Sequence, residues 1–399
     1  MRIRSITAFI PVPDPFAIRN GAKTAISLRD RLQAEGYEVQ TLRLATRSFT
    51  TWVRDPADTV AEITKWEREA KQSGFDYLSV GPVPCGNGTG MSQVADILKN
   101  TQDTFCTCHL LEPEKPIDLV WLQQVGEVIL QNSKSDKQGF TNLRFAGLAN
   151  VQAGCPFFPA AYADHTRPAF AIAMEAADLA VEVFKAAESA EKAAGALKSA
   201  IEDAGQTIDR CCQPVAGEQY QGIDFTLAPF PEEARSIGSA LEALGIPGFG
   251  KSGSLAASAY LMSILDQAKF TRTGFNGLML PILEDACLAE RNSSGEISIQ
   301  QLLLYSTVCG TGLDCIPLPG DISAAQLLSI LLDVSALSRR LQKPLTARLM
   351  PVPGKQAGEM TQFDFGYFAN SRIMDPVSAE LNGLFTRGMK IPISPRTGI

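Results

Sequence analysis

The sequence predicts an α/β fold with a mainly parallel sheet, and three observations carry that reading. Apolar, strand-like runs alternate with helical patterns along the chain, the signature of βα units. Nine or ten such strands are too many for one simple open sheet, so closure into a barrel is expected. Pro-x-Pro also recurs beside strand-like runs at five places: Pro11-Val12-Pro13, Pro82-Val83-Pro84, Pro229-Phe230-Pro231, Pro317-Leu318-Pro319 and Pro351-Val352-Pro353. Proline cannot donate to a sheet ladder and holds its predecessor extended, so a strand ending this way leaves the sheet and then turns. The recurrence reads as one device at the carboxyl ends of buried strands, where α/β folds bind ligands.

Residues 3–10 alternate like a strand and form no signal-peptide apolar block. A helical pattern follows over 17–33, then a strand-like run over 38–44, a helix over 59–71 and a strand over 77–80. A short helix over 92–99 leads to 105–110, where the alternation of Thr104-Phe105-Cys106-Thr107-Cys108 suits a buried strand. Residues 143–148 read as a strand and 171–187 as a helix. The Ala-rich stretch near 186–212, with Glu and Lys interleaved, reads as a helical excursion that packs outside, or as a lid or oligomer arm. Strand 223–227, helices 232–244 and 254–268 and strand 278–282 follow. Ser298-Ile299-Gln300-Gln301 is a capping box opening a helix to about Val308. Strand 313–318 precedes Asp321, expected to cap a helix over 324–341, and strand 347–352 follows. No linker or charge block marks a boundary, so residues 1–399 are expected to form one α/β barrel domain, with an irregular tail from 376.

The 399 residues are 45% hydrophobic and 20% charged, ordinary for a globular protein. The formal charge of −7, with pI near 5.1, argues against nucleic acid as a partner. No apolar run approaches the roughly 20 residues that span a bilayer, so no membrane association is expected. Nine scattered cysteines point to reduced thiols and a cytoplasmic location. A small-molecule ligand and a homo-oligomeric assembly are the expected partners.

Asp224 and Asp314 sit in apolar strand-like runs, and Glu284-Asp285 follows one. Buried ionised groups are costly unless paired or bound to a cation. With only two histidines, such carboxylates favour a hard cation (magnesium, manganese or calcium) at Asp224, Glu284 and Asp314, or else pair with Arg or Lys. Asp224, Asp285 and Asp314 are the candidate proton-transfer groups. Cys309 is a possible contributor, although a helix carboxyl end disfavours its thiolate. Gly86, Gly88 and Gly90 lie between a strand and a short helix, where backbone N–H groups can hold an anion, or where a tight loop needs glycine. Residues 245–252, Gly-Ile-Pro-Gly-Phe-Gly-Lys-Ser, fit the P-loop expression, but a helix precedes them and Pro247 removes a donor. A turn between helices is expected there, with the helix start at Ser254 able to hold an anion. Lys355 would add positive charge. Cys106-Thr107-Cys108-His109 lacks a second cysteine pair, and Cys155 with His165 forms a conceivable nucleophile–base pair.

The runs Thr307-Val308-Cys309-Gly310-Thr311-Gly312-Leu313-Asp314, Ile316-Pro317-Leu318-Pro319-Gly320-Asp321 and Arg348-Leu349-Met350-Pro351-Val352-Pro353-Gly354-Lys355 resemble the domain-of-unknown-function 711 family. So does Cys155-Pro156-Phe157-Phe158-Pro159. The resemblance spans essentially the whole chain and implies the ten-stranded β/α barrel of the pyruvate formate-lyase-like group, built from two parallel five-stranded halves. Glycyl-radical enzymes of that fold carry an Arg-Val-x-Gly-Tyr-like motif near the C-terminus. Arg387-Gly388-Met389 and Arg396-Thr397-Gly398 do not match it, so no glycyl radical is expected. The expected function is an enzyme of unassigned reaction acting on a small polar or anionic metabolite at the carboxyl ends of the strands, or a non-catalytic binder using the same rim.

Overall fold

The computed structural model describes residues 1–396, so Thr397 and Gly398 of the tail lie outside the described residues. In chain order its elements are β1 (Arg2–Ile10), α1 (Pro15–Ala34), β2 (Val39–Thr46), α2 (Thr59–Ser73), β3 (Tyr77–Val83), α3 (Gly88–Asn100), β4 (Thr104–His109), β5 (Ile117–Asp118), α4 (Leu119–Ser133), β6 (Phe145–Ala149) and β7 (Ala169–Glu175). There follow α5 (Ala177–Ala186), α6 (Ala190–Ala216), β8 (Tyr220–Asp224), α7 (Ile237–Ala243), α8 (Ser254–Gln267), α9 (Ala286–Ser293), α10 (Ile299–Tyr305), β9 (Gly312–Pro319), α11 (Ala324–Leu341), β10 (Leu345–Val352) and β11 (Lys390–Ile391).

Nine strands form one mixed sheet in the order β8-β7-β1-β2-β3-β4-β6-β10-β9. Strands β1, β2, β3, β4 and β6 run parallel. Strands β7 and β10 pair antiparallel to β1 and β6, and each has a parallel neighbour, β8 or β9. The sheet is thus two parallel sets running in opposite senses. This corrects the single-rim reading of Pro-x-Pro: the copies at Pro11 and Pro82 lie at one end, and those at Pro229, Pro317 and Pro351 at the other. Residues 271–282 run beside both outer strands, with parallel bridges from Ile223 to Arg272 and from Pro281 to Asp314. Their backbone bonds include Ile223 N–H to Thr271 O at 2.7 Å and Ile282 N–H to Asp314 O at 3.3 Å.

One sheet face packs on helices. Ile6, Ala8 and Ile10 join Ile18, Ala22, Ala25 and Leu28 of α1 in the main core. Asp14 caps that helix as a chain stop after Pro11 and Pro13, its carboxylate accepting from the Phe16 and Ala17 N–H groups. The other face carries Ser5, Thr7, Phe9, Ser79 and Ala171, against which residues 155–163 fold as an internal plug. Ser79 Oγ donates to Ala161 O at 2.7 Å and Thr7 Oγ1 to Pro156 O at 3.0 Å. Phe158, Ala161 and Ala163 pack on Phe9, Ala45, Phe105 and Ala171.

The plug explains one missed strand. The stretch expected as a helix over 171–187 begins as β7, and the helix starts only at Ala177. Every residue of β7 is buried, so no strand alternation shows, and its alanines leave room for the plug rather than favouring a helix. Likewise Ser323, not Asp321, caps α11, through a capping box with Gln326. The expected box at Ser298 and Gln301 is present, but α10 ends at Tyr305. The excursion near 186–212 is the outer helix α6, burying Leu197, Ile201 and Ile208. The tail turns back over its own chain, β11 pairing with β5.

Two carboxylates fasten connecting segments. Asp224 is fully buried and accepts from Thr226 N and Oγ1, Phe275 N at 2.6 Å and Asn276 N at 2.8 Å, tying β8 to residues 275–276. Gly274, at φ +73°, has no room for a Cβ because the Asp224 carboxylate fills that space. Burial pushes the Asp224 carboxyl up to about 6, while these donors oppose the shift. Glu242 of α7 accepts from Arg291 Nε at 2.7 Å and Nη2 at 2.9 Å, and from Phe249 N at 2.8 Å. Arg291 holds its carboxyl down at about 2.

Asp224→Asn should lower stability by roughly 2–3 kcal/mol in urea unfolding, because an amide NH2 replaces an acceptor facing buried N–H groups. Glu242 has its folded pKa below its unfolded value, so its contribution is present above about pH 4.5 and lost as the pH falls toward about 2. The stability gap between wild type and Glu242→Gln should therefore shrink across that window, as read by unfolding at successive pH values.

Candidate functional site

At the end of the sheet where the β1–β4 set begins and the other set ends, charged side chains meet below a ring of aromatic residues. Arg4 reaches this place through a local irregularity. Ser5, Thr7 and Phe9 face the plug, so strict alternation would turn Arg4 toward the helices, and a register shift between Ile3 and Ser5 re-aims it. Arg4 then donates to Glu284 Oε2 at 2.8 Å and to Glu175 Oε2 at 3.2 Å. Arg348 of β10 donates from Nε to Asp314 Oδ1 at 2.6 Å and from Nη2 to Glu284 Oε1 at 2.9 Å. Glu175 also accepts from Gln40 at 2.7 Å and from Arg235. Burial opposes ionisation of Glu284, but Arg348 and Arg4 prevail and hold its carboxyl below the usual range.

The second shift, between Ala347 and Leu349 of β10, lies opposite Asp314 and Cys315 of β9. Cys315 takes φ +47° there, an uncommon conformation for a side-chain-bearing residue, and its Sγ lies 3.1 Å from Glu284 Oε1. Burial pushes its thiol well above the ordinary value.

Arg43 of β2 stands apart from this network. It is 7% exposed, and its side chain's only hydrogen bond among the described residues runs from Nε to Thr41 Oγ1 at 2.9 Å. Its guanidinium lies 5.6 Å from the Tyr77 ring centroid and 5.1 Å from that of Phe158. Burial, then the neighbouring Arg4, pushes its pKa down to about 9. The buried carboxylates Glu175, Glu284 and Asp314 are taken up by Arg4, Arg348 and Arg235, so no carboxylate within the described residues pairs with Arg43. A cavity of about 80 Å³ opens beside it, with Arg4, Glu284 and Arg348 on one side and Tyr77, Phe105, Leu143, Phe158, Phe365 and Tyr367 around it. Tyr367 is 45% exposed and meets Phe230 edge-on at 5.6 Å, forming part of the outer rim.

Of the carboxylates read from sequence, Glu284 and Asp314 come together, but with the Arg348 guanidinium between them. Asp224 bonds to a separate set of N–H groups. Asp285 caps α9 and also accepts from Ser236 Oγ and Ile237 N, both at 2.6 Å, which ties two helix starts together. Among the described residues no group of three or more His, Cys, Asp or Glu side chains is disposed to hold a metal ion. Cys309 is buried after α10 and does not line the cavity. Nor do Gly86, Gly88 and Gly90, where Asn87 caps α3 by accepting from Gly90 N at 2.9 Å. Ser254 Oγ accepts from Gly250 N at 3.1 Å and donates to Lys251 O at 2.7 Å, so the P-loop-like turn satisfies itself between two helices, α7 and α8. Lys355 lies beyond β10, its carbonyl accepting from Gly320 N. Cys155 is buried 4.0 Å from Asp224, whereas His165 is half exposed beside Asp164, and the two form no hydrogen bond.

The residues given no role from sequence are Arg4, Arg43, Glu175, Arg235 and Arg348. The rule applied to Asp224 and Asp314, that a charge in a buried strand needs a partner or a ligand, applies equally to arginines in strand-like runs.

Residues 1–370 match the family described as Uncharacterised ACR (DUF711). A UPF0210 protein of Pyrobaculum aerophilum is 28% identical over 336 residues, covering 82% of this chain and 72% of that protein. UPF0210 proteins of Methanococcoides burtonii and Clostridium perfringens are each 25% identical, over 346 and 344 residues, with 82% of this chain and 76% of theirs covered. Among the described residues no helix is long and apolar enough to cross a membrane. With the match spanning the sheet, the plug and every charged residue of the cavity, the chain belongs to the DUF711 family.

Proposed function

We propose that this protein binds a small anion in the cavity beside Arg43, inside a sheet that residues 271–282 close into a ten-stranded barrel of two opposed five-membered sets. The parallel bridges from that segment to both outer strands support closure, as does the resemblance to the pyruvate formate-lyase-like barrel. The observation that carries the binding reading is Arg43 itself. A buried guanidinium without a counter-ion is costly, and ring faces return only about 0.5–2 kcal/mol of that cost. An anion in the adjoining cavity supplies the missing charge and accepts from the terminal nitrogens. The site offers recognition more readily than catalysis. Glu284 is ionised and held by two arginines, and the Cys315 thiol is far from its nucleophilic form. This favours the ligand-binding reading over an enzyme working at the Pro-x-Pro ends.

Formate, the smallest carboxylate, should raise the wild-type melting midpoint by roughly 1–3 °C at constant ionic strength. Arg43→Met should show no such response, and without anion it should melt no lower than wild type, because it removes an uncompensated buried charge. An equal formate response in the variant would place the anion elsewhere and refute the proposal.

A further inference from the structure

Resting on that reading of Arg43, we infer that the preferred ligand is a monocarboxylate with a short apolar body, not phosphate and not a dicarboxylate. Charge sets the first limit. The cavity wall holds three arginines, but Arg4 and Arg348 each face carboxylates, and only Arg43 lacks one among the described residues. One negative charge is neutralised there. A second would lie in the same small cavity as the ionised Glu284, where repulsion is weakly screened.

Shape sets the second limit. Arg43 commits Nε to Thr41, leaving its two terminal nitrogens, a planar pair that matches the two oxygens of a carboxylate. A phosphate presents further oxygens, but Gln40 and Thr41 of the lining already donate to Glu175 and to the Arg4 carbonyl, and Phe105, Leu143 and Phe158 have no donor, which leaves only the Tyr77 and Tyr367 hydroxyls for them.

The walls set the third. Beyond the guanidinium the cavity is bounded by Tyr77, Phe105, Leu143, Phe158 and Phe365, surfaces that gain by covering apolar carbon. At about 80 Å³ it is smaller than the roughly 150 Å³ cavity that accepts benzene. The body is therefore smaller than a ring, about two to four carbons.

The test is isothermal titration of wild type, Arg43→Met and Leu143→Ser with formate, isobutyrate, succinate and inorganic phosphate. Wild type should bind isobutyrate about tenfold or more tightly than formate, from the added buried carbons, and about tenfold or more tightly than succinate or phosphate. Leu143→Ser should lose most of the isobutyrate advantage and keep formate binding, while Arg43→Met should lose both. Phosphate or succinate binding as tightly as isobutyrate would overturn the monocarboxylate class. Arg43-dependent formate binding with no isobutyrate advantage would likewise overturn it while leaving the anion site standing. Absence of any Arg43-dependent binding, isobutyrate included, would sink both.

Discussion

The Arg348 guanidinium, shared between Asp314 and Glu284, is the interaction on which the charged end of the molecule depends. Each partner comes from a different part of the chain: Arg348 from β10, Asp314 from β9 and Glu284 from the turn after residues 271–282. Removing any one would strand a charge in a place where water cannot replace the partner. Through Glu284 the chain of contacts continues to Arg4 and Glu175, so β9 and β10 on one side and β1 and β7 on the other are held in one electrostatic register. Two backbone irregularities, at Arg4 and opposite Cys315, serve this network by turning side chains that plain alternation would misdirect.

Against that neutralised network, Arg43 is informative because it is the exception. Its neighbours are ring faces and a threonine hydroxyl rather than a carboxylate. Folding tolerates such a group when the surrounding strands and the plug fix it in place, and tolerance of this kind is commonly tied to binding rather than to stability.

Much of the fold was legible because its signals are local. Alternation in residues 3–10, the capping box at Ser298 and the helical patterns of α1, α2 and α11 each declare themselves within a few residues. What depended on tertiary context was not legible. β7 is buried on both faces and alanine-rich, so neither its period nor its propensity spoke for a strand. The opposed sense of the two strand sets is likewise invisible to local pattern, and it separates Pro-x-Pro copies that look alike in sequence. For the site, the sequence singled out Glu284 and Asp314 and left a cation or an Arg or Lys as the partner, and in the structure Arg348 stands between them. Asp224 and Asp285 drew attention for the same reason, and their oxygens turn out to be spent on backbone N–H groups that fasten loops and helix starts.

The loop over residues 164–168 joins the two opposed strand sets at the surface, with Asp164, His165, Thr166 and Arg167 exposed. Neither set owns the cavity: Arg43, Tyr77 and Phe105 precede this loop, and Glu284, Arg348 and Phe365 follow it. The chain is in this respect a natural two-part lock. A cut within the loop would yield fragments that each lack half of the recognition surface, and recovery of ligand capture would then report directly on whether the two halves can find one another.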